Sequence, residues 1–316
     1  MAFGRILFLP IRVWLIALLV LIGTLSPLGL GAGAPGPDRP LRIALIGDPH
    51  LPGTYLSSKE ALIRTIGGWE GIDRVVVLGD ICDRAGTAVE YAFAKGFFGP
   101  LPQPLRFVVG NHDYFYEDEP NLRGRLVEAP PEVRRMKLAR FAETFGQERL
   151  YFEERLGDYL LVYLSTDELH GSLLAQFSKE QMDWLEKVLA RNRTVPTLIF
   201  AHAPLAGTLH AYSGHANAPS FVAQPVEPLR GLIMAHPQIV LWAAGHMHVP
   251  ATNESYAAPV NQYEGRVMTI HNSNLGRKRS WTNVLDLHPG RIVVRTYDHG
   301  LKGWRPDLER TIPVLP

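Results

Sequence analysis

Residues 74–83 read Arg-Val-Val-Val-Leu-Gly-Asp-Ile-Cys-Asp, a short apolar run that stops at a glycine and two carboxylates. Short apolar runs bounded by turn residues are typical of buried strands. Because the carboxyl ends of strands in an α/β sheet share one crevice, we expect the polar side chains that follow such strands to meet there. Four other apolar runs also stop at acid, amide or imidazole side chains: residues 43–50 (IALIGDPH), 107–113 (FVVGNHD), 198–202 (LIFAH) and 241–248 (LWAAGHMH).

Strands and helices alternate along the rest of the chain. Ser178 begins a predicted helix whose apolar side chains recur at helical spacing, and two strands near the end flank a His-Pro-Gly-Arg turn as a hairpin. We therefore predict one α/β layered domain over residues 41–316. Strands are predicted over residues 42–46, 74–78, 105–109, 159–165, 197–201, 239–243, 267–271, 281–287 and 292–297.

Residues 1–40 have the pattern of an export segment. Arg5 and Arg12 precede an apolar run over residues 13–23, and small glycine and alanine residues follow. This order of charged, apolar and small residues is typical of a secretory signal peptide. The uncharged window over residues 13–34 also has about the 20 residues that cross a bilayer, so an uncleaved membrane anchor is the alternative. In either case we expect the remainder to be exported: periplasmic, secreted or anchored facing outside.

The composition excludes several classes of protein. The chain has 316 residues, of which 46% are hydrophobic and 20% charged, and these proportions fit a globular protein with a sizeable core. The formal net charge of +1 provides no global basic field, so no specific binding of nucleic acid is expected. The single cysteine, Cys82, excludes an intrachain disulfide and a cysteine-built zinc site.

The polar residues at the strand ends predict a shared metal centre. Each motif by itself also fits a turn, a helix cap or a loop with solvated imidazoles, but their common position at strand ends favours one site. Carboxylate, amide and imidazole ligands without a thiolate suit Mn²⁺, Fe or Zn²⁺. The candidate residues are Asp48, His50, Asp80, Asp83, Asn111, His112, Asp113, His202, His246 and His248.

The order of these residues resembles the calcineurin-like metallophosphoesterase superfamily, over nearly the whole chain after residue 41. Residues 178–205 further resemble bacterial members of the cyclic-nucleotide phosphodiesterase type. Position 83 is Asp where purple acid phosphatases carry a metal-binding tyrosine, which disfavours that branch. The motifs that carry the resemblance are Asp48-x-His50, Gly79-Asp80-x-x-Asp83, Gly110-Asn111-His112-Asp113, His202 and Gly245-His246-x-His248.

The resemblance implies a four-layer αββα sandwich, in which two mixed β-sheets pack face to face with flanking helices. It also implies a dinuclear metal phosphoric ester hydrolase, in which a hydroxide that bridges the two ions attacks a phosphomonoester or phosphodiester. The implied ligands are Asp48, His50 and His248 for one ion, Asn111, His202 and His246 for the other, and Asp80 as the bridge between them.

The resemblance further implies that His112 reaches the substrate as general acid or oxyanion stabiliser, and that Asp83 orients its imidazole. Residues 117–145 form a longer connection with a predicted helix from about 132 to 145, and they are a candidate cap over the crevice. We expect a small phosphoester as substrate: a nucleotide, a lipid headgroup or a phosphorylated metabolite. Membrane contact is expected only through an N-terminal anchor.

Other interpretations stay open at this point. A catalytically inactive scaffold of the same fold is the main alternative, although every motif position is filled here. A two-metal hydrolase that acts on something other than phosphate is another. Residues 114–116, a Tyr-Phe-Tyr run, could line the cleft or pack within their loop. His210 and His215 could meet substrate or be ordinary surface histidines, and His271 follows a strand as the predicted ligands do, although the motif set is complete without it.

Overall fold

The computed structural model describes residue 1 and residues 39–211 and 213–314. The predicted export segment lies almost wholly outside the described residues and stays a prediction. None of the helices within the described residues is both long enough and apolar enough to cross a membrane.

Thirteen strands and six α-helices make up the described domain, together with three short 3₁₀ helices. The helices are α1 (Leu56–Gly67), α2 (Ala88–Phe98), α3 (Asn111–Tyr114), α4 (Pro131–Phe145), α5 (Lys179–Arg191) and α6 (Val226–Ala235). The strands are β1 (Leu41–Ile46), β2 (Arg74–Val77), β3 (Leu105–Phe107), β4 (Phe152–Leu156), β5 (Tyr159–Leu164), β6 (Thr197–Ala201), β7 (Ile239–Ala244), β8 (Gln262–Tyr263), β9 (Val267–His271), β10 (Trp281–His288), β11 (Arg291–Asp298), β12 (Gly303–Trp304) and β13 (Arg310–Pro313).

The strands form two mixed sheets. The first sheet has the order β12-β11-β10-β1-β2-β3, and β13 also pairs with β11. The second sheet has the order β4-β5-β6-β7-β9-β8. In the first sheet β1, β2 and β3 run parallel at one edge, and the other pairings are antiparallel. In the second sheet β5, β6, β7 and β9 form a parallel centre, and β4 and β8 are antiparallel edges.

Three apolar layers hold the sheets and helices together. Alternate residues of β2 show how: Val76 packs between the two sheets, whereas Val75 and Val77 face the helices over the first sheet. A third cluster joins the second sheet to α5 and α6. Because β2 is buried on both faces, its sequence is a continuous apolar run rather than an alternating one. The predicted αββα sandwich is confirmed.

The third strand is shorter than its apolar run predicts. Residues 105–109 were expected to pair as one strand, but β3 ends at Phe107. The next two residues remain fully buried, and the Val109 N–H donates to Ser165 Oγ at 2.9 Å instead of to a neighbouring strand. The hydroxyl of Ser165, which follows β5 in the second sheet, thus ties the end of β3 to the other sheet.

A carboxylate on the second sheet joins the two sheets at their edge. Glu154 in β4 accepts hydrogen bonds from Arg74 at 3.1 Å and from Arg106 at 2.7 Å, both in the first sheet, and from the Tyr163 hydroxyl at 2.9 Å. Burial opposes the charge of Glu154, but the two guanidinium groups outweigh it and hold the pKa of this carboxyl below its ordinary value.

This cluster predicts a pH-dependent contribution to stability. A carboxyl whose pKa is lowered by folding stabilises the protein above its unfolded-state pKa of about 4.3, and the contribution disappears as pH falls through the lower folded-state pKa. We expect Glu154→Gln to reduce the free energy of unfolding at pH 7 by about 1–2 kcal/mol. Denaturant unfolding of both proteins from pH 7 to pH 3 should show the difference shrinking in acid; a constant difference would contradict the assignment.

Candidate metal centre

The predicted ligands lie on loops that leave the carboxyl ends of the parallel strands. Asp48 follows β1, Asp80 follows β2, and Asn111 begins α3 just beyond β3. On the second sheet, His202 follows β6 directly and His246 comes two residues after β7. The crevice is therefore shared by both sheets, and the structure brings all seven predicted ligands into it.

One cluster of donor atoms consists of Asp48, His50, Asp80 and His248, whose ligand atoms all lie within 4.8 Å of one another. The Nε2 atoms of His50 and His248 are 3.1 Å apart. His248 Nε2 lies 3.5 Å from an oxygen of Asp48, and His50 Nε2 lies 3.8 Å from an oxygen of Asp80. Two carboxylates and two imidazoles thus converge on one small volume.

A second cluster consists of Asp80, His202 and His246. His202 Nε2 lies 3.3 Å from an Asp80 oxygen and 3.1 Å from Asn111 Oδ1, so the Asn111 amide joins this group. Asp80 belongs to both clusters and is 2% exposed. A carboxylate in this position has one oxygen for each cluster, which is the arrangement that a bridging ligand requires.

Hydrogen bonds to the backbone fix which imidazole nitrogen faces the cluster. His202 Nδ1 lies 2.9 Å from the Leu78 carbonyl, and His246 Nε2 lies 3.0 Å from the Ser220 carbonyl. Because a carbonyl only accepts, each of these nitrogens carries the proton. The other ring nitrogen, Nε2 of His202 and Nδ1 of His246, then faces the cluster and can bind a cation when it carries no proton.

The backbone of the centre is held in an unusual conformation. Non-glycine residues rarely adopt positive φ, and such residues cluster at functional sites where the surrounding structure enforces them. Five of the seven predicted ligands have it: Asp48 (φ 37°), His50 (45°), Asp80 (46°), His246 (59°) and His248 (49°).

Two glycines allow the loops to approach each other closely. A Cβ on Gly110 would lie 2.2 Å from the backbone nitrogen of Asp80, and a Cβ on Gly245 would lie 2.2 Å from Asp48 Oδ2. Neither neighbour can retreat without displacing a predicted ligand. Glycine is thus required at positions 110 and 245, because the backbone packs directly against Asp80 and Asp48.

Without a bound cation, the carboxylates and imidazoles of the two clusters shift one another's pKa values. Burial would raise the pKa of Asp80, but the neighbouring His202 and His112 outweigh it and hold that pKa well below its ordinary value. Burial likewise opposes a charge on His202, yet Asp80 raises its pKa to about 9. Burial lowers the pKa of His50 to about 4 and that of His246 to about 3. Near neutral pH the imidazoles of His50 and His246 are therefore neutral, whereas His202 holds a proton that a cation bound beside Asp80 would displace. Imidazoles and ionised carboxylates form a donor set that fits two divalent cations.

His112 lies at the edge of the clusters. Its backbone N–H donates to Asp80 at 2.9 Å, and its ring lies 4.9 Å from that of His50. The ring nitrogen Nδ1 is 3.0 Å from the Arg84 carbonyl and therefore donates to it. This contact leaves Nε2 as the nitrogen that can meet a substrate.

Asp83 does not make the contact with His112 that the resemblance implied. The hydrogen bonds of the described residues join His112 to the Arg84 carbonyl instead, one residue further along the chain. The Asp83 carboxylate lies beside Gly53, and its charge acts on the buried Lys59. The imidazole is thus oriented by a backbone group, which no pattern of side chains in the sequence could indicate.

Asp113 and Cys82 have supporting positions. Both oxygens of Asp113 are used: one accepts from the Cys82 N–H at 2.9 Å and the other from the Gly110 N–H at 2.8 Å. Burial and the charge of Asp80 raise the pKa of Asp113 to about 7. The Cys82 thiol is buried, and burial, with the nearby carboxylates, raises its pKa well above the ordinary value. Both residues thus hold the loops together.

The remaining candidates divide between cleft and core. The Tyr116 hydroxyl lies 3.5 Å from Asn111 Nδ2, whereas Tyr114 and Phe115 are buried in the core. Phe221 stacks on His246 at 5.3 Å and on the exposed His215 at 4.4 Å.

Phe221 and its neighbour Ser220, whose carbonyl bonds to His246, were not identified from the sequence. They lie in the short 3₁₀ helix Pro219–Phe221, in a stretch of sequence without a recognisable motif. His271 is buried outside the clusters, where Nε2 bonds to the Thr208 carbonyl at 3.1 Å.

Helix α4, within the predicted cap segment, supports the loop that orients His112. The ammonium group of Lys137 is fully buried, donates to the carbonyls of Ala85 (2.6 Å) and Tyr116, and pairs with Asp118 at 2.6 Å. One turn further, Arg140 donates to the Gly86 carbonyl at 2.8 Å. The segment thus contacts the site from the side through its cationic helix face.

The comparisons with known proteins agree with this geometry. A family model described as calcineurin-like phosphoesterase matches residues 41–250. The chain belongs to the calcineurin-like phosphoesterase family. A transmembrane protein with a metallophosphoesterase domain from Bos taurus is 27% identical over 243 residues, which cover 73% of this chain and 50% of the bovine protein. This chain therefore spans about half the length of that relative.

Two solved structures are similar to this calcineurin-like phosphoesterase in fold. A dimetal phosphatase from Danio rerio has a TM-score of 0.60 at 15% identity, covering 88% of this chain and 100% of that one. A purple acid phosphatase from yellow lupin seeds has a TM-score of 0.55 at 16% identity, covering 86% of this chain and 53% of that one. At such identities the likeness concerns the fold, and Asp83 still distinguishes this chain from the tyrosine pattern of purple acid phosphatases.

The contacts of Lys137 predict a measurable effect on both stability and turnover. We expect Lys137→Met to leave the Ala85 and Tyr116 carbonyls without a donor and to lower the free energy of unfolding by about 1–3 kcal/mol. Displacement of the loop beside His112 should also lower turnover by roughly 10- to 100-fold. Arg135→Met changes an exposed residue of the same helix and is the matched control. Wild-type turnover in a folded Lys137→Met protein would contradict the supporting role.

Proposed function

We propose that this protein is a dinuclear, metal-dependent phosphoric ester hydrolase that acts on a phosphomonoester or phosphodiester outside the cytoplasm. The observation that carries the proposal is the position of Asp80 in two adjoining clusters of ligand atoms. A single cation would need only one cluster. Two clusters with a common carboxylate suit a pair of ions, and the family and the donor types favour phosphoester chemistry with Mn, Fe or Zn.

In this proposal each residue has a defined task. The first ion would be held by Asp48, His50 and His248, the second by Asn111, His202 and His246, and both by Asp80. When bound, the two ions supply activation of water and neutralise negative charge at phosphorus. The protein fixes the ligands beforehand through positive-φ backbone and through hydrogen bonds from two imidazoles to carbonyls.

His112 is proposed to serve the leaving group. Because Nδ1 is committed to the Arg84 carbonyl, a protonated ring donates from Nε2, which is the nitrogen available to the cleft. That proton can pass to the departing oxygen as the ester bond breaks. Before transfer, the same N–H can stabilise negative charge on a phosphoryl oxygen.

A substrate panel together with metal analysis tests the proposed activity. Purified protein loaded with Mn²⁺ would be assayed on p-nitrophenyl phosphate, bis-p-nitrophenyl phosphate and thymidine p-nitrophenyl phosphate. We expect hydrolysis of at least one, with about two ions per chain, and fewer ions in Asp80→Asn because both clusters lose a ligand. Protein that takes up no metal and cleaves none of the three esters would favour the inactive scaffold.

The proposed role of His112 predicts a separation of turnover from metal content. We expect His112→Ala to lower turnover by roughly 10²- to 10⁴-fold, or about 3–5 kcal/mol of barrier, since proton transfer to the leaving oxygen is lost. Metal content should not change, because His112 belongs to neither ligand cluster. His170→Ala, at an exposed histidine, is the matched control. Unchanged turnover in His112→Ala would refute the role.

A further inference from the structure

Helix α2 presents an apolar face to the outside of the domain. Its inner face is buried against the first sheet and α4 through Tyr91, Ala94 and Phe98. On the outer face, Val89 is 79% exposed and Phe93 36%. Other exposed positions of this helix are Ala88, Ala92, Lys95 and Gly96.

This face differs from that of an ordinary surface helix. A helix on the surface of a globular protein normally turns charged and polar residues outward, and an apolar outer face indicates an interaction surface. The Phe93 ring lies along the surface, stacked on Phe97 at 6.5 Å. Lys95 provides the charge among the exposed residues of α2, since the side chain of Glu90 is turned inward to cap the helix. An apolar strip with a cation and no exposed carboxylate suits an anionic lipid surface.

The chain enters the domain close to the far end of α2. Arg39 donates to the Gly71 carbonyl at 3.1 Å and pairs with Asp73 at 2.8 Å, so it is fixed to the turn that follows α1. The same turn is bonded on its other side by Gln103, whose amide donates to the Trp69 carbonyl at 3.4 Å. Gln103 lies five residues beyond the end of α2. Arg39, where the chain enters the domain, and the end of α2 are therefore both next to the turn that follows α1.

The sequence ahead of Arg39 supplies the second observation. Residues 13–34 contain no charged side chain, and only residues 35–38 separate them from Arg39. At about 3.4 Å per residue, this connection reaches at most about 17 Å. If the apolar run stays in a bilayer, the surface of that bilayer lies within this distance of Arg39.

We propose that residues 13–34 are retained as a membrane anchor and that the outer face of α2 rests on the same bilayer. The eleven residues of α2 extend about 16 Å, long enough for Val89 and Phe93 to enter the boundary between headgroups and acyl chains together. The proposal chooses the anchor over the cleaved signal peptide. It concerns attachment of the domain and does not depend on hydrolysis.

Site-specific labelling of the full chain in lipid nanodiscs tests the contact. The one cysteine of the sequence, Cys82, is buried, so a thiol-reactive bimane attaches to an introduced cysteine. Phe93→Cys places the label on α2, and Val89→Cys places it on the same face one turn earlier. Met234→Cys is the matched control, because Met234 is a 50% exposed apolar residue of α6, over the second sheet.

We expect doxyl-labelled lipid to quench bimane fluorescence at positions 93 and 89 more strongly than at position 234, by about twofold or more. Side chains on the membrane-facing side would lie about 5–10 Å inside the interface, within reach of the quencher. Equal quenching at all three positions overturns the proposal. The proposal is also overturned if the chain that is isolated from cells has lost residues 1–34, since the export segment is then cleaved and not retained. Disulfide-linked dimers of Phe93→Cys formed at the same yield in detergent would show that a second copy covers the face instead. Equal thermal unfolding of variants and wild type controls for folding.

Discussion

The shared position of Asp80 is the constraint on which the rest of the site depends. A nearly fully buried carboxylate needs positive charge close by, and here the protein provides histidines from three different loops. These loops leave both sheets at their carboxyl ends, so the face-to-face packing of the sheets sets the distance between the clusters. The apolar layer between the sheets is therefore part of the functional geometry, because it fixes the separation of donor atoms that no single loop controls.

The sequence predicted the fold and the composition of the site well for a physical reason. Strands such as β6 and β9 are short, apolar and bounded by turn residues, and both were located to the residue. Polar residues that directly follow such strands can lie only at the carboxyl edge, so their proximity follows from topology. Backbone partners could not be predicted in this way. His112 bonds to the backbone carbonyl of Arg84, and His246 bonds to that of Ser220. Because every residue type has the same backbone carbonyl, the sequence does not indicate which one a histidine will contact.

Long-range contacts of charged side chains could not be predicted from the sequence either. Lys137 and Arg134 look like ordinary surface residues of a polar helix, yet both are buried by the loops that they hold. Their pattern is informative only when the chain segments that cover them are known. The predicted cap segment is also held to neighbouring segments by such side chains. Arg134 donates to the Ala129 and Gly171 carbonyls and stacks over Phe115, so three segments of chain are bonded to one side chain.

The burial of Cys82 protects its thiol from oxidation. Oxidation to sulfenic acid and exchange into mixed disulfides both require an accessible thiolate. This sulfur is enclosed, and the carboxylates around it favour the protonated thiol. The domain can therefore persist in oxidising surroundings without a reductant and without a disulfide of its own.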